Sequence, residues 1–235
     1  MGKVILITGA NAGIGFELAK QLAKAGHTVY GAARSESGIE TINAVGDKNL
    51  KSVKLDVTHH KSIVAAKEFL EKEVGHIDVL VNNAGTGVLN KPQNATNVDV
   101  EVVREACDVN LFGLIQTCTT LLPLLLASSS PPHILNISTD MASNTFMARP
   151  ENRMDVVAYN TSKAAANSYT IALAAELKGK ALVNALTPGF TTTKLNNHHP
   201  GGKTPEEAAE LLAKWALQEE KTGLFIGPDG NEFPW

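Results

Sequence analysis

Residues 8–15 read Thr8-Gly9-Ala10-Asn11-Ala12-Gly13-Ile14-Gly15. The apolar run Val4–Ile7 leads into them, and a helical stripe of Ile14, Leu18, Leu22 and Ala25 follows and stops at Gly26. The context is therefore strand, glycine-rich turn, helix. Glycines in that setting allow a tight turn, a close approach of backbone to a pyrophosphate, and tight helix–strand packing. The helix start offers free N–H groups and the positive end of its dipole, which favour an anion. This reading points to a dinucleotide site, in which Gly9, Asn11, Ala12, Gly13, Ile14 and Gly15 line the phosphates.

Outward from this turn, short β-branched runs alternate with segments of helical period. The expected strands are 4–8, 28–32, 51–55, 77–81, 134–137, 181–186 and 224–226, and the expected helices 13–25, 59–74, 98–126, 154–178 and 204–219. Strand–helix alternation implies right-handed βαβ units and one parallel sheet, an α/β doubly wound architecture. No composition shift marks a second domain, so residues 1–235 read as one domain. Its cofactor half runs roughly over 1–95 and its catalytic and substrate half over 96–235.

The 235 residues are 43% hydrophobic and 19% charged, with a formal net charge of −3, which excludes a disordered chain and argues against a nucleic-acid surface. The two cysteines, Cys107 and Cys118, sit in an apolar helical stretch and suit neither a disulfide scaffold nor a CxxC metal site. His59-His60 and His198-His199 lack a third ligand at useful spacing, and no metal is expected. The run at Val4 is too short for a signal peptide or a membrane span, so the expectation is a cytoplasmic protein with no membrane or nucleic-acid partner.

Further residues extend the dinucleotide site. The second strand ends in Ala33-Arg34-Ser35, with no acidic residue to accept from a ribose 2′-hydroxyl. Arg34 offers a planar fork suited to a 2′-phosphate, and Ser35 a hydroxyl. Asp56 after the third strand reads either as a helix-start signal or as an acceptor for an adenine amino group. Asn82-Asn83-Ala84-Gly85 follows the fourth strand, where small residues let a ligand lie against the backbone. Pro188-Gly189 follows the sixth and leads to Thr191 and Thr193, whose backbone and hydroxyls can reach the nicotinamide and the phosphates.

Tyr159 and Lys163 are four apart on an expected helix and share a face. A phenol titrates at about 10, and a nearby ammonium lowers that value. Ser138 ends the fifth strand at the same sheet edge, where it can hydrogen-bond a substrate oxygen. Asn110 is an amide inside an apolar helix and needs partners, so it pins a kink or holds a water chain. Small residues on the helix of Tyr159, such as Ala164, Ala165 and Ala166, suit an intersubunit contact in a homo-oligomer, a dimer or tetramer.

The ordered set of Gly9–Gly15, Asn82–Gly85, Asn110, Ser138, Tyr159 with Lys163, and Pro188-Gly189 resembles the short-chain dehydrogenase/reductase family over essentially the whole chain. Within it, Pro131–Ser138 and the ending from Gly223 to Trp235 are similar to Sniffer-like and C-factor-like carbonyl reductases. The resemblance implies a Rossmann-type sheet of about seven strands in the order 3-2-1-4-5-6-7. It implies NADP(H) as cofactor, with NAD(H) less favoured, and a small-molecule carbonyl substrate. Tyr159 would be the acid/base, and Lys163 would bind the nicotinamide ribose and lower the phenol's pKa. Ser138 would orient the carbonyl and Asn110 hold a relay water. Asp56, Val57, Asn83, Ala84 and Gly85 would line the adenosine and inner ribose. Two departures stand out. Ala12 occupies a position where NADP-preferring relatives often carry a base, and the stretch from Ser138 to Tyr159 is long. The extra residues, roughly 146–153, include Arg149 and Arg153 and are expected to form a rim over the site. Two other readings compete: an NAD-dependent alcohol dehydrogenase, disfavoured by Arg34, and a catalytically idle dinucleotide sensor, which would have no reason to keep Ser138, Tyr159 and Lys163 together.

Overall fold

A computed structural model describes residues 2–152 and 154–235. Its centre is a seven-stranded sheet in the order β3-β2-β1-β4-β5-β6-β7, with every neighbour parallel. The strands are β1 (Val4–Ile7), β2 (Thr28–Ala33), β3 (Leu50–Lys54), β4 (Val79–Asn82), β5 (His133–Ile137), β6 (Leu182–Leu186) and β7 (Phe225–Ile226). The helices are α1 (Gly13–Lys24), α2 (Glu36–Asn43), α3 (His60–Glu73), α4 (Val100–Cys107), α5 (Leu114–Leu126), α6 (Asn144–Met147), α7 (Val157–Glu176) and α8 (Pro205–Ala216).

The strands read as continuous apolar runs because both faces of the sheet are covered. Alternation along β1 shows this residue by residue. Leu6 joins Tyr30, Val53, Leu80, Ile134 and Val183 in a core closed by Ile63 and Leu70 of α3, Leu121 and Leu125 of α5 and Leu173 of α7. Ile5 and Ile7 point the other way, to Leu18 and Leu22 of α1, Ile42 of α2 and Leu212 and Trp215 of α8. A fully buried leucine of this kind contributes about 1.5–3 kcal/mol; Leu6→Ala would cost about 2–5 kcal/mol, because neither helical layer can collapse into the gap.

Two features depart from the sequence reading. A helix, α2, follows β2, capped by Ser35, whose Oγ accepts from the Gly38 N–H at 3.1 Å. The single helix expected over 98–126 is two helices joined by a π-helical turn, Asp108–Gly113. The combined span Val100–Leu126 has the length and apolarity of a membrane helix, but here Leu114, Leu121 and Leu125 face the sheet and the π turn carries a buried amide. The C-terminal residues cover the end of β7, where Trp235 stacks on Phe225 with ring centroids 5.4 Å apart.

The chain leaves β1 toward β2 and leaves β4 toward β5, so the strand order reverses between them. In open parallel sheets the crevice beyond the strand C-termini at that point is where ligands bind.

Candidate active site

The glycine turn is shaped by contacts that a side chain would abolish. Gly9 has φ 64°, and a Cβ there would lie 2.9 Å from the Ala84 Cα; a Cβ on Gly15 would lie 2.3 Å from the Asn83 amide nitrogen. Asn83 uses that amide inward, donating to the carbonyls of Thr8 at 2.9 Å and Gly9 at 3.1 Å. Thr8 Oγ1 in turn accepts from the N–H groups of Asn83 and Ala84, both at 3.0 Å. Asn83 and Thr8 therefore clamp the strand end to the glycine turn. Ile14 packs into the core from the first turn of α1.

The start of α1 lacks a partner of its own. Its N-cap, Ala12, makes no side-chain cap, and no acidic residue stands in the first turn. Asn11 lies against Gly38 in the first turn of α2, and Thr193 lies over Gly13, whose Cβ would be 3.6 Å from the threonine methyl. A phosphate diester fits this cradle: N–H groups face it and no acidic residue stands in the first turn of α1. Gly189 turns the chain after β6 with φ 76°, in contact with Pro228. Thr191 Oγ1 donates back to the Gly189 carbonyl at 3.1 Å, which holds the Pro188–Thr193 stretch over the crevice.

Arg34 is exposed at the end of β2, and among the described residues no carboxylate lies within ion-pair distance of it; the nearby Glu36 pairs instead with Lys54. Ser35 spends its hydroxyl on the α2 cap. Asp56 Oδ1 accepts from the Thr58 N–H at 2.9 Å and hydroxyl at 2.7 Å, while His59 approaches Oδ2 at 3.3 Å. Burial alone would raise the Asp56 pKa, but the Thr58 bonds and His59 outweigh it and hold it below the usual value. Val57 packs on Gly113, and its carbonyl accepts from Gln116 Nε2 at 2.7 Å.

The chemical groups gather at the other end of the same crevice. A Cβ on Gly85 would lie 3.3 Å from Asn110 Oδ1 and 3.5 Å from Lys163 Nζ. Asn110 is in the π turn, a conformation that often marks functional positions. Its Oδ1 accepts from the Thr86 N–H at 2.9 Å, and its Nδ2 donates to the Thr86 carbonyl at 2.8 Å and to Ser162 Oγ at 2.9 Å. It pins the loop after β4 to the helix of Tyr159. Gln93, which the sequence reading passed over, does the same from the other side. Its Nε2 donates to the Gly87 and Val88 carbonyls at 2.8 and 3.0 Å, and its Oε1 accepts the Tyr159 N–H at 3.2 Å. Val88 itself has φ 49°, a strained value for a β-branched residue.

Lys163 is buried, and its ammonium donates to the Ile137 carbonyl at 2.7 Å. Burial pulls its pKa down to about 8. Tyr159 is also buried, and its phenol is pushed up to about 12, first by burial and then by the Asp140 carboxylate; the Thr139 hydroxyl opposes this. The sequence reading has Lys163 lower this value; here its ammonium is turned to the Ile137 carbonyl.

Ser138 is a further correction. Its Oγ donates to Asn167 Oδ1 at 2.7 Å. The hydroxyl that meets the phenol is that of the next residue, Thr139. Thr139 Oγ1 also donates to Asp140 Oδ1 at 3.0 Å. Strand parity explains the difference. Ser138 continues the β5 ladder, donating its N–H to Leu186 O at 2.7 Å. It therefore points as Asn136 does, into α7, where Asn136 Nδ2 donates to Thr170 Oγ1 at 2.9 Å.

The long segment before Tyr159 forms α6 and a 3-10 turn at Pro150–Asn152. Phe146 packs on Phe233 with centroids 5.3 Å apart, and Arg149 is exposed. Arg153 lies outside the described residues. A separate cavity of about 490 Å³ beside β7, lined by Trp215, Lys221 and Asn231, contains none of the residues of the crevice. Among the described residues no group of three His, Cys, Asp or Glu side chains gathers as a metal site.

A glycine turn shaped to take a phosphate diester and a buried Tyr–Lys pair, both at the switch point of a doubly wound sheet, are the arrangement of an oxidoreductase of the doubly wound class. Residues 3–202 match the family model of the short chain dehydrogenases, and the chain belongs to that family. It is 31% identical over 249 residues to the short-chain dehydrogenase anuI of Penicillium roqueforti, covering 99% of this chain and 97% of that one. The 3-ketoacyl-(acyl-carrier-protein) reductase of Brucella melitensis, solved with NADH, superposes with a TM-score of 0.84 at 31% identity, covering 96% of each chain. The NADPH-bound carbonyl reductase of chicken fatty liver shares the fold with a TM-score of 0.89 at 23% identity, covering 100% of this chain and 99% of that one.

Proposed function

We propose that this chain is one dinucleotide-binding unit that reduces an aldehyde or ketone to an alcohol, with Tyr159 as proton donor and NADPH preferred over NADH. The observation that carries the reading is that Asn110 Oδ1 and Lys163 Nζ flank Gly85 while Tyr159, one turn before Lys163 on α7, is buried with the Thr139 hydroxyl beside its phenol. The nicotinamide nucleotide supplies the hydride.

The chain's own residues do the rest. The N–H groups at the start of α1, with Gly9, Gly13 and Gly15, hold the pyrophosphate, and Asp56 and Val57 line the adenine end. Arg34 meets a 2′-phosphate with parallel N–H donors; Ser35 acts through its cap on α2. Lys163 sits beside Gly85, where its ammonium can hold the inner ribose while keeping Ile137. Thr139 orients the substrate oxygen, the role the sequence reading gave to Ser138. Tyr159, with its pKa raised, stays protonated through the neutral range and gives its proton to that oxygen. Asn110 joins the Thr86 loop to Ser162 and keeps Tyr159 and Lys163 at a fixed distance from the Gly85 wall.

Phe112 and Leu126 flanking and ending α5, and Ile171 on α7, are exposed apolar side chains, which supports a homo-oligomer through these helices. The function is tested by following NADPH and NADH oxidation with a panel of aldehydes and ketones. Consumption with none of them would refute it.

A further inference from the structure

We propose that Asp140 selects substrates by charge, so that neutral carbonyl compounds are reduced and those with a carboxylate or phosphate next to the carbonyl are turned away. The inference rests on Tyr159 as the proton donor. Asp140 is half-buried and directly follows Thr139. Its backbone is fixed by a bond from its N–H to Thr187 Oγ1 at 3.0 Å. Its Oδ1 accepts from Thr139 Oγ1 at 3.0 Å and from the Met141 N–H at 3.1 Å. These bonds all go to one oxygen; among the described residues Oδ2 has no hydrogen-bond partner and no Lys, Arg or His lies within 4 Å of the carboxylate.

The charge is therefore held beside the reacting groups without a counter-ion. Its field reaches the phenol and contributes to keeping Tyr159 protonated. The surrounding loops present apolar side chains. Leu89, Met154, Phe190 and Leu195 are exposed and apolar. Lys91 is paired with Glu105, and Lys203 Nζ donates to the Pro228 carbonyl at 2.8 Å. A second anion placed at about 6 Å from Asp140, under an effective dielectric near 20, is disfavoured by about 100-fold, and partial solvent access brings this toward tenfold.

The test uses ethyl benzoylformate and its free acid, benzoylformate, as matched keto ester and keto acid. The kcat/KM of each is measured with the full chain and NADPH. The wild type should favour the ester by at least tenfold. Asp140→Asn and Asp140→Ser should each lower the ester-to-acid ratio at least fivefold, and Asp140→Glu should retain it. An ester-to-acid ratio near one in the wild type, or one unmoved in both neutral variants, would overturn the charge selection and leave the reductase reading standing. Reduction of neither compound, nor of any carbonyl in a broad panel, would overturn both.

Discussion

The Lys163 ammonium donates to the Ile137 carbonyl oxygen at 2.7 Å, tying the helix that carries Tyr159 to the end of the strand that delivers Thr139. The bond keeps a cation in a buried place at a cost. Its folded pKa is about 8, below the ordinary 10.5 of a lysine. Below about pH 8 the lysine is charged in both states and the folded state bears the full burial penalty. Between about 8 and 10.5 the unfolded chain binds more protons, so stability rises with pH. At about 1.4 kcal/mol per unit the span is worth roughly 3 kcal/mol. Urea unfolding at several pH values should show wild type gaining on Lys163→Met across this window. Parallel curves would contradict the burial assignment.

Ser138 and Thr139 should separate stability from turnover. Ser138→Ala leaves Asn167 Oδ1 without the donor it has at 2.7 Å, a loss of about 1–3 kcal/mol in stability. Thr139→Val keeps the shape but removes the hydroxyl that meets the phenol, and kcat should fall about 10- to 100-fold. Melting temperatures and kcat for both variants check the split; the reverse pattern would restore the role to Ser138.

Much of this site was readable before the structure. The parallel strands, the glycine turn, Asn110 and the Tyr159/Lys163 pair follow from motif spacing and from β-branched runs that both sheet faces bury, and the strand order from the family resemblance these motifs carry. What escaped had physical reasons. The helix α2 is short and buries only Gly38 and Ile42, so its period was too weak to see. The π turn adds a residue to a turn inside an unbroken apolar pattern, which no periodicity reveals. Ser138 and Thr139 are adjacent hydroxyls, and only the parity shared with Asn136 tells which one faces α7. Gln93 is one of several amides in its loop, and only its distant bond to the Tyr159 N–H sets it apart. Asp140 reads in sequence as an ordinary loop carboxylate; only the folded chain shows that among the described residues it has no ion-pair partner.

Arg34 should set the cofactor preference. A charged hydrogen bond is worth about 1.5–3 kcal/mol, and the exposure of Arg34 argues for the lower half. Arg34→Ala should raise the KM for NADPH about tenfold and leave that for NADH nearly unchanged. Equal losses for both nucleotides would refute a 2′-phosphate clamp.

His133 should make the protein acid-sensitive. It is buried at the start of β5, where its Nε2 meets Asn184 Nδ2 at 3.0 Å, and burial pulls its pKa down to about 4. Between about 6.5 and 4 the unfolded chain takes up the proton first, so stability falls as pH falls through this range, by about 3 kcal/mol in all. Thermal denaturation from pH 7 to 4 should show a shallower decline in His133→Gln than in wild type; identical slopes would remove His133 as the cause.

The central claim is that Tyr159 protonates a carbonyl oxygen. It is tested most directly by single-turnover oxidation of bound NADPH with a neutral ketone, in wild type and Tyr159→Phe. The phenyl ring keeps the packing and loses the proton, so the rate should drop by about 10²–10⁴-fold while the dissociation constant for NADPH changes less than about threefold. A Phe variant that retained most of the wild-type rate would contradict it.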